Sequence, residues 1–150
     1  MFMKKFVCLL AVVILCVSAC SVAFADSTTL VEKMSLQDLN GFLSEEGFRP
    51  EIKNNGNCEF KLKGLIVQMF LYDDGTSVQF HCGWSNTNVT MEDVNKWNME
   101  WRLAKAYLDV DGDPHLELDM DLDGGITVQR LRNFMQNCSF FLDKFVSRMN

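Results

Sequence analysis

The residues whose types and spacing could do chemistry are gathered at positions 106–125, AYLDVDGDPHLELDMDLDGG. Six aspartates, one glutamate and one histidine fall within those twenty residues. Carboxylates at alternate positions suggest calcium, a hard cation that takes several oxygen ligands from a short acidic loop. Asp119-x-Asp121-x-Asp123-Gly124 matches the first half of an EF-hand loop, and Ile126 sits where such loops carry an apolar residue. The twelfth position is Arg130, however, and not the glutamate that closes such a site with two oxygens. The earlier Asp109-x-Asp111-x-Asp113 has Pro114 where glycine is needed and Met120 at its last position. No metal is therefore expected, and an acidic sheet face turned to water is the plainer reading. A calcium- or ligand-binding sensor built on the acidic hairpin is the alternative. Enzyme chemistry has less to work with. The histidines are His81 and His115, and the chain has no Gly-x-Ser-x-Gly, no phosphate loop and no His/Cys cluster with zinc spacing. No catalytic residue and no cofactor is expected.

Period two is what must position these acids. Leu116, Leu118, Met120 and Leu122 alternate with Glu117, Asp119, Asp121 and Asp123, so this is a strand with one oily and one acidic face. Residues 106–110 alternate too, and Asp111-Gly112-Asp113-Pro114 between them is a turn signal. A three-residue loop with Gly112 left-handed pairs Val110 with Pro114, Leu108 with Leu116 and Ala106 with Leu118. All apolar residues then share a face. A two-residue turn sets Leu118 opposite Lys105 and loses that agreement.

The preceding strands can be registered from their turns. Lys63-Gly64 closes one hairpin by pairing Leu62 with Leu65, and Asp74-Gly75 closes the next by pairing Asp73 with Thr76. One face then collects Cys58, Phe60, Leu62, Leu65, Val67, Met69, Leu71, Val78, Phe80, Cys82 and Trp84. The other collects Glu59, Lys61, Ile66, Gln68, Phe70, Tyr72, Ser77, Gln79 and His81. Cys58 and Cys82 share the oily face two strands apart, about 10 Å, too far for a disulfide. Both are expected to be buried thiols. His81 and Cys82 point to opposite faces and cannot form a catalytic pair.

Three helices complete the pattern. Ser35-Leu36-Gln37-Asp38 is a capping-box start for a helix that Gly47 stops, with Leu30, Val31 and Met34 as an upstream extension. Residues 48–53 make a short strand. Thr90 caps a second helix whose stripe is Val94, Trp97, Trp101 and Ala104, with Asn98 alongside. Thr127 caps the third, in which Leu131, Phe134, Met135, Cys138, Phe141, Leu142, Phe145, Val146 and Met149 recur at three-and-four spacing. The expected fold is α+β, an antiparallel sheet with helices packed on one face.

The N-terminus reads as an export signal. Lys4 and Lys5 precede an apolar run at 6–17 and a small-x-small site, Ala23-Phe24-Ala25. Cleavage there makes 1–25 the signal peptide and 26–150 one domain, periplasmic or secreted. Val17-Ser18-Ala19-Cys20 offers the alternative of a membrane-anchored lipoprotein on Cys20. Loss of the two lysines from 14 basic against 20 acidic residues leaves a net charge of −8. That excludes nucleic acid as a natural partner.

Asn95, Trp97, Asn98 and Arg102, followed by Ala106-Tyr107-Leu108-Asp109, Asp111-Gly112-Asp113, Leu118, Asp119, Asp121 and Gly124-Gly125, resemble the motif of the YbjN family. That family is described as bacterial sensory transduction regulators, and its fold resembles the type III secretion chaperones. The resemblance implies this fold and a non-enzymatic, binding role in an undefined pathway. A homodimer is one arrangement that chaperone-like relatives imply. Its motif residues Trp97, Asn98, Arg102, Tyr107, Asp111, Gly112, Asp119, Asp121, Gly124 and Gly125 read as structural. Arg102, one helical turn past Asn98, is expected to tie to Asp119 or Asp121. Ile66, Phe70 and Tyr72, an apolar stripe on the sheet's second face, are the candidate partner surface unless the first helix or the N-terminal segment covers them.

Overall fold

The computed structural model describes residues 28–85 and 87–149. The export signal, both cleavage sites and Cys20 lie outside the described residues. Six strands form one antiparallel sheet: β2 (Glu51–Ile52), β3 (Asn57–Leu62), β4 (Leu65–Tyr72), β5 (Ser77–Gly83), β6 (Lys105–Leu108) and β7 (Pro114–Asp121), in the order β2-β3-β4-β5-β7-β6. A second, two-stranded ribbon joins β1 (Leu30–Val31) to β8 (Ile126–Thr127). Helices α1 (Leu36–Glu45), α2 (Met91–Glu100) and α3 (Val128–Met149) fill the connections.

The turns set the register as their residues predict. Lys63 and Gly64 both take positive φ, 54° and 85°, which a two-residue hairpin turn requires, and Leu62 pairs with Leu65. Tyr72 pairs with Ser77, which is the register expected from Asp74-Gly75. Period two then carries every apolar residue of β3, β4 and β5 except Ile66, Phe70 and Tyr72 to one side. Phe80, Val78, Met69, Val67 and Cys58 are wholly buried there.

The helices roof that side. Ser35 and Asp38 form a reciprocal capping box on α1, and Thr90 and Asp93 repeat it on α2. Thr127 accepts the Arg130 N–H at the start of α3. The α3 stripe buries Leu131, Cys138, Leu142 and Phe145 completely, and full burial of such side chains stabilises by about 1.5–3 kcal/mol each. Phe145 lies edge-on to both Trp84, the residue after β5, and Trp97 of α2, at 5.3 and 4.9 Å. One core therefore joins sheet, α2 and α3. Cys58, Cys82 and Cys138 are all buried free thiols. Among the described residues no helix is long and apolar enough to cross a membrane.

Three expectations are corrected. Leu30 and Val31 do not extend α1; they pair with Thr127 and Ile126 as β1. The strand expected at 48–53 is ordered as β only at Glu51–Ile52, and its first residue is held by the end of α1 instead, the Phe48 N–H donating to the Leu43 carbonyl at 3.0 Å. The β6–β7 hairpin pairs Leu108 with Pro114 and Ala106 with Leu116, so its loop is five residues and not three. The Asp109 carboxylate explains the wider loop, since it accepts both the Asp111 and Asp113 N–H at 2.9 Å. A shift of two residues leaves each side chain on its expected face. Val110 drops out of the strand and stands 99% exposed.

Candidate functional site

Among the described residues no helix packs on the sheet's second face. Its side chains fall into cross-strand rows because the strands are in register. One row runs Glu59, Gln68, His81, Glu117, Lys105; the next runs Asn57, Phe70, Gln79, Asp119; a third runs Tyr72, Ser77, Asp121. Hydrogen bonds knit them. Tyr72 Oη and Gln79 Oε1 lie 3.4 Å apart, and Gln79 Nε2 donates to Asp119 Oδ1 at 2.8 Å. Lys105 Nζ and Tyr107 Oη grip the two oxygens of Glu117 at 2.6 and 2.7 Å. Burial opposes charge on Glu117, but those two donors outweigh it and hold the carboxyl below its usual range. Burial, then the bond to Glu117, pushes the Tyr107 phenol well up.

The histidines meet at the centre of this face. His81 Nε2 and His115 Nδ1 are 2.8 Å apart, and His115 Nε2 lies 3.2 Å from Asp109 Oδ2. Tyr107 stacks on His115 at 5.0 Å, and Phe70 meets the edge of His81 at 6.1 Å. Gly83 makes this stacking possible, because a Cβ there would fall inside the His115 ring. The bond to Asp109 places the His115 proton on Nε2, so its Nδ1 accepts from His81 Nε2. His81 Nδ1 is then a buried acceptor with no partner. Burial, and next the neighbouring His115, lower the His81 pKa. The pair stands beside a cleft of about 340 Å³ lined by Ile66, Gln68, Trp84 and Asp113 among others.

Arg102 and Asp119 line a different cleft with Glu117, so His115, Asp119 and Arg102 do not share one enclosure. Nor do the aspartates converge. Asp119 and Asp121 stand on β7, Asp123 lies in the following turn, and Asp121 is occupied by the Asp123 N–H at 2.9 Å. Among the described residues no three His, Cys, Asp or Glu side chains are placed to hold a metal ion.

The motif residues prove to be fixtures of one edge and two turns. Trp97 is wholly buried and donates its indole N–H to the Ala104 carbonyl at 2.9 Å. Asn98 bonds both main-chain groups of Ala106, its Nδ2 donating to the oxygen and its Oδ1 accepting the N–H, each at 2.9 Å. β6 is the last strand of the sheet, and the Asn98 amide stands where a further strand would bond. Gly112, Gly124 and Gly125 all take positive φ in turns, and Asp111 sits exposed in the hairpin loop. Arg102 makes no ion pair with Asp119 or Asp121, which corrects the expected tie. The reason is local: α2 ends at Glu100, and Trp101 is extended at φ −112°, ψ 127°, so Arg102 is not one helical turn beyond Asn98.

Among the described residues no element covers the stripe of Ile66, Phe70 and Tyr72. Ile66 is 59% and Tyr72 47% exposed, while Phe70 is half-buried between Tyr72 and His81. α1 packs its Leu39, Phe42 and Leu43 into the core on the opposite side and does not reach it. Sequence reasoning missed the His81–His115–Asp109 series and the Tyr107–Glu117–Lys105 grip. The β5–β7 pairing creates the first, and it joins strands separated by α2, for which no turn gives a signal.

Fold and face define a class: an α+β domain with one side of an antiparallel sheet roofed by helices and the other left as a polar platform with an aromatic stripe. Residues 35–149 match the YbjN family, described as "Putative bacterial sensory transduction regulator". The chain belongs to the YbjN family. It is also similar in structure to an Escherichia coli protein solved as "Crystal structure of YbjN, a putative transcription regulator from E. coli". The TM-score is 0.59 at 18% identity, over 73% of this chain and 85% of that one, a likeness that shows the fold. No curated protein matches the chain in sequence. The family description is regulatory, not enzymatic.

Proposed function

We propose that the protein is an exported regulatory module that acts by binding another protein through the open face of its sheet, without catalysis. The observation that carries this is the one-sided roof: all three helices cover one face, and the other presents Ile66, Phe70 and Tyr72. An exposed apolar stripe rimmed by polar groups is the usual form of a protein contact. The rim supplies the partner's chemistry. Asp73, Asp74, Asp119 and Asp121 border the Tyr72 end, so the partner carries an apolar patch flanked by lysine or arginine. A symmetric homodimer through this face would set those acids against each other.

Export rests on Lys4, Lys5, the apolar run and Ala23-Phe24-Ala25. Intact mass of the protein from periplasm and from membranes distinguishes a chain beginning at Asp26 from one lipidated on Cys20. The binding reading is tested by light scattering and by pull-down from the exported fraction, wild type beside Phe70→Glu. A monomer that loses a bound protein on Phe70→Glu supports it. Wild type and variant retaining the same proteins overturns it, and a homodimer broken by the variant replaces the partner with a second copy.

A further inference from the structure

The outer edge of β3 is closed by β2 for only part of its length. β2 pairs Glu51 with Glu59 and Ile52 with Cys58, and the Lys53 N–H donates to the Asn57 carbonyl. The ladder stops at Pro50. In an antiparallel hairpin the pair flanking a two-residue turn exchanges both its bonds, and bonded pairs then alternate. Leu62, Phe60 and Cys58 thus bond to β4, while Lys61, Glu59 and Asn57 turn their main-chain groups outward. β2 and Lys53 take up Glu59 and Asn57. Among the described residues no main-chain bond from segment 47–50 reaches Lys61. A cleft of about 400 Å³ opens beside it, lined among others by Phe48, Arg49, Glu51, Glu59, Lys61 and Ile66.

Charge says what fits there. Glu51 and Glu59 are both taken by Lys53, at 2.8 and 3.1 Å. Arg49 and Lys61, both exposed, have no carboxylate partner among the described residues. Two free cations at an open strand edge invert the sign of a chain with 20 acidic against 14 basic residues. A second copy of the edge is a poor occupant, because antiparallel pairing about Lys61 sets lysine against lysine.

We propose that this edge takes an extended acidic peptide as an added strand, in the lane the chain leaves at Pro50. The peptide residue opposite Lys61 exchanges both main-chain bonds with it and shares its face with Lys61 and Ile66, so it is aspartate or glutamate. The residue before it, opposite Leu62, turns to the other face, beside Phe60 and its neighbour Phe48 at 4.9 Å, so it is apolar, while the residue after it bends out of the lane, because Glu51 opposite Glu59 leaves no room opposite Phe60. The recognised pattern is an apolar residue followed by an acidic one. This goes beyond the open-face reading, since Phe70 and Tyr72 take no part.

Fluorescence anisotropy on the purified protein tests it with a short labelled peptide bearing valine–glutamate–valine. The controls are valine–lysine–valine and the first peptide with its glutamate nitrogen methylated. The expected result is binding of the glutamate peptide at least about tenfold tighter than either control. Lys61→Glu reverses the preference toward the lysine peptide, a gain that misfolding cannot produce. Phe70→Glu leaves peptide binding unchanged, which separates this edge from the open face. No binding, equal binding of the methylated peptide, or an unaltered preference in Lys61→Glu overturns the proposal.

Discussion

Single side chains here carry two kinds of information, proton affinity and access. His81 has its pKa lowered by burial and by His115, so the folded protein binds fewer protons at this site than the unfolded chain. Stability from this source is complete above the unfolded value near 6.5 and is lost as pH falls through that value toward the lower folded one. Glu117 and Asp109, both held below their usual values, act in the same direction only at more acid pH. Urea midpoints should therefore drop between pH 7.5 and 5.5, and His81→Gln should flatten that drop. The thiols give an independent check. Burial pushes Cys58 and Cys82 up to about 11 and Cys138 well above its ordinary value. Thiolate is the reactive form, so a thiol reagent at pH 8 should leave Cys58, Cys82 and Cys138 unlabelled in the native protein and label all of them in denaturant.

At the scale of elements, the motif has a job that its resemblance alone did not reveal. Asn98 satisfies both outward groups of Ala106 on the terminal strand β6. Asn98→Ala should cost about 1–3 kcal/mol and expose a bonding edge. Urea unfolding checks the first effect and light scattering the second; Asn98→Asp, which keeps only the acceptor, should fall between. Gly75 holds the other end of the sheet. Its carbonyl accepts the Met34 N–H at 2.8 Å, its φ is 88°, and a Cβ would fall inside the Met34 carbonyl. Gly75→Ala should destabilise by more than the roughly 1 kcal/mol of backbone strain alone, measured by the same unfolding curves. These elements also show where sequence reading succeeds. The faces of β3, β4, β5 and β7 were legible because parity survives errors of register: the β6–β7 loop was misjudged by two residues, yet Tyr107, His115 and Glu117 still share a side. Strand β1 was not legible, since two residues make no period. Arg102 was misplaced because nothing in Trp101-Arg102-Leu103 announces that α2 has already ended. The His81–His115 contact needed β5 beside β7, a long-range pairing that only the shared core dictates.

Across the whole molecule, the division of labour is between a side that folds the protein and a side free to meet something else. The roofed side holds the wholly buried Trp97, Phe80, Phe42 and Phe145. The platform side spends its polar groups on one another, as in Glu117 with Tyr107 and Lys105, and leaves the aromatic stripe in water. If that stripe served stability, a charge within it would unfold the protein; if it serves contact, the same charge should spare the fold. Tyr72 is the cleaner position for this separation, because it is 47% exposed and its hydroxyl's contact with Gln79 is a long 3.4 Å. Tyr72→Lys should change the unfolding free energy by no more than about 0.5 kcal/mol, as surface substitutions ordinarily do. It should nonetheless weaken capture of a base-rimmed partner about tenfold, by placing a cation where that partner's own cations must lie. Denaturant titration and pull-down on one preparation measure both quantities. Loss of stability with unchanged capture would place Tyr72 among the residues that build the fold.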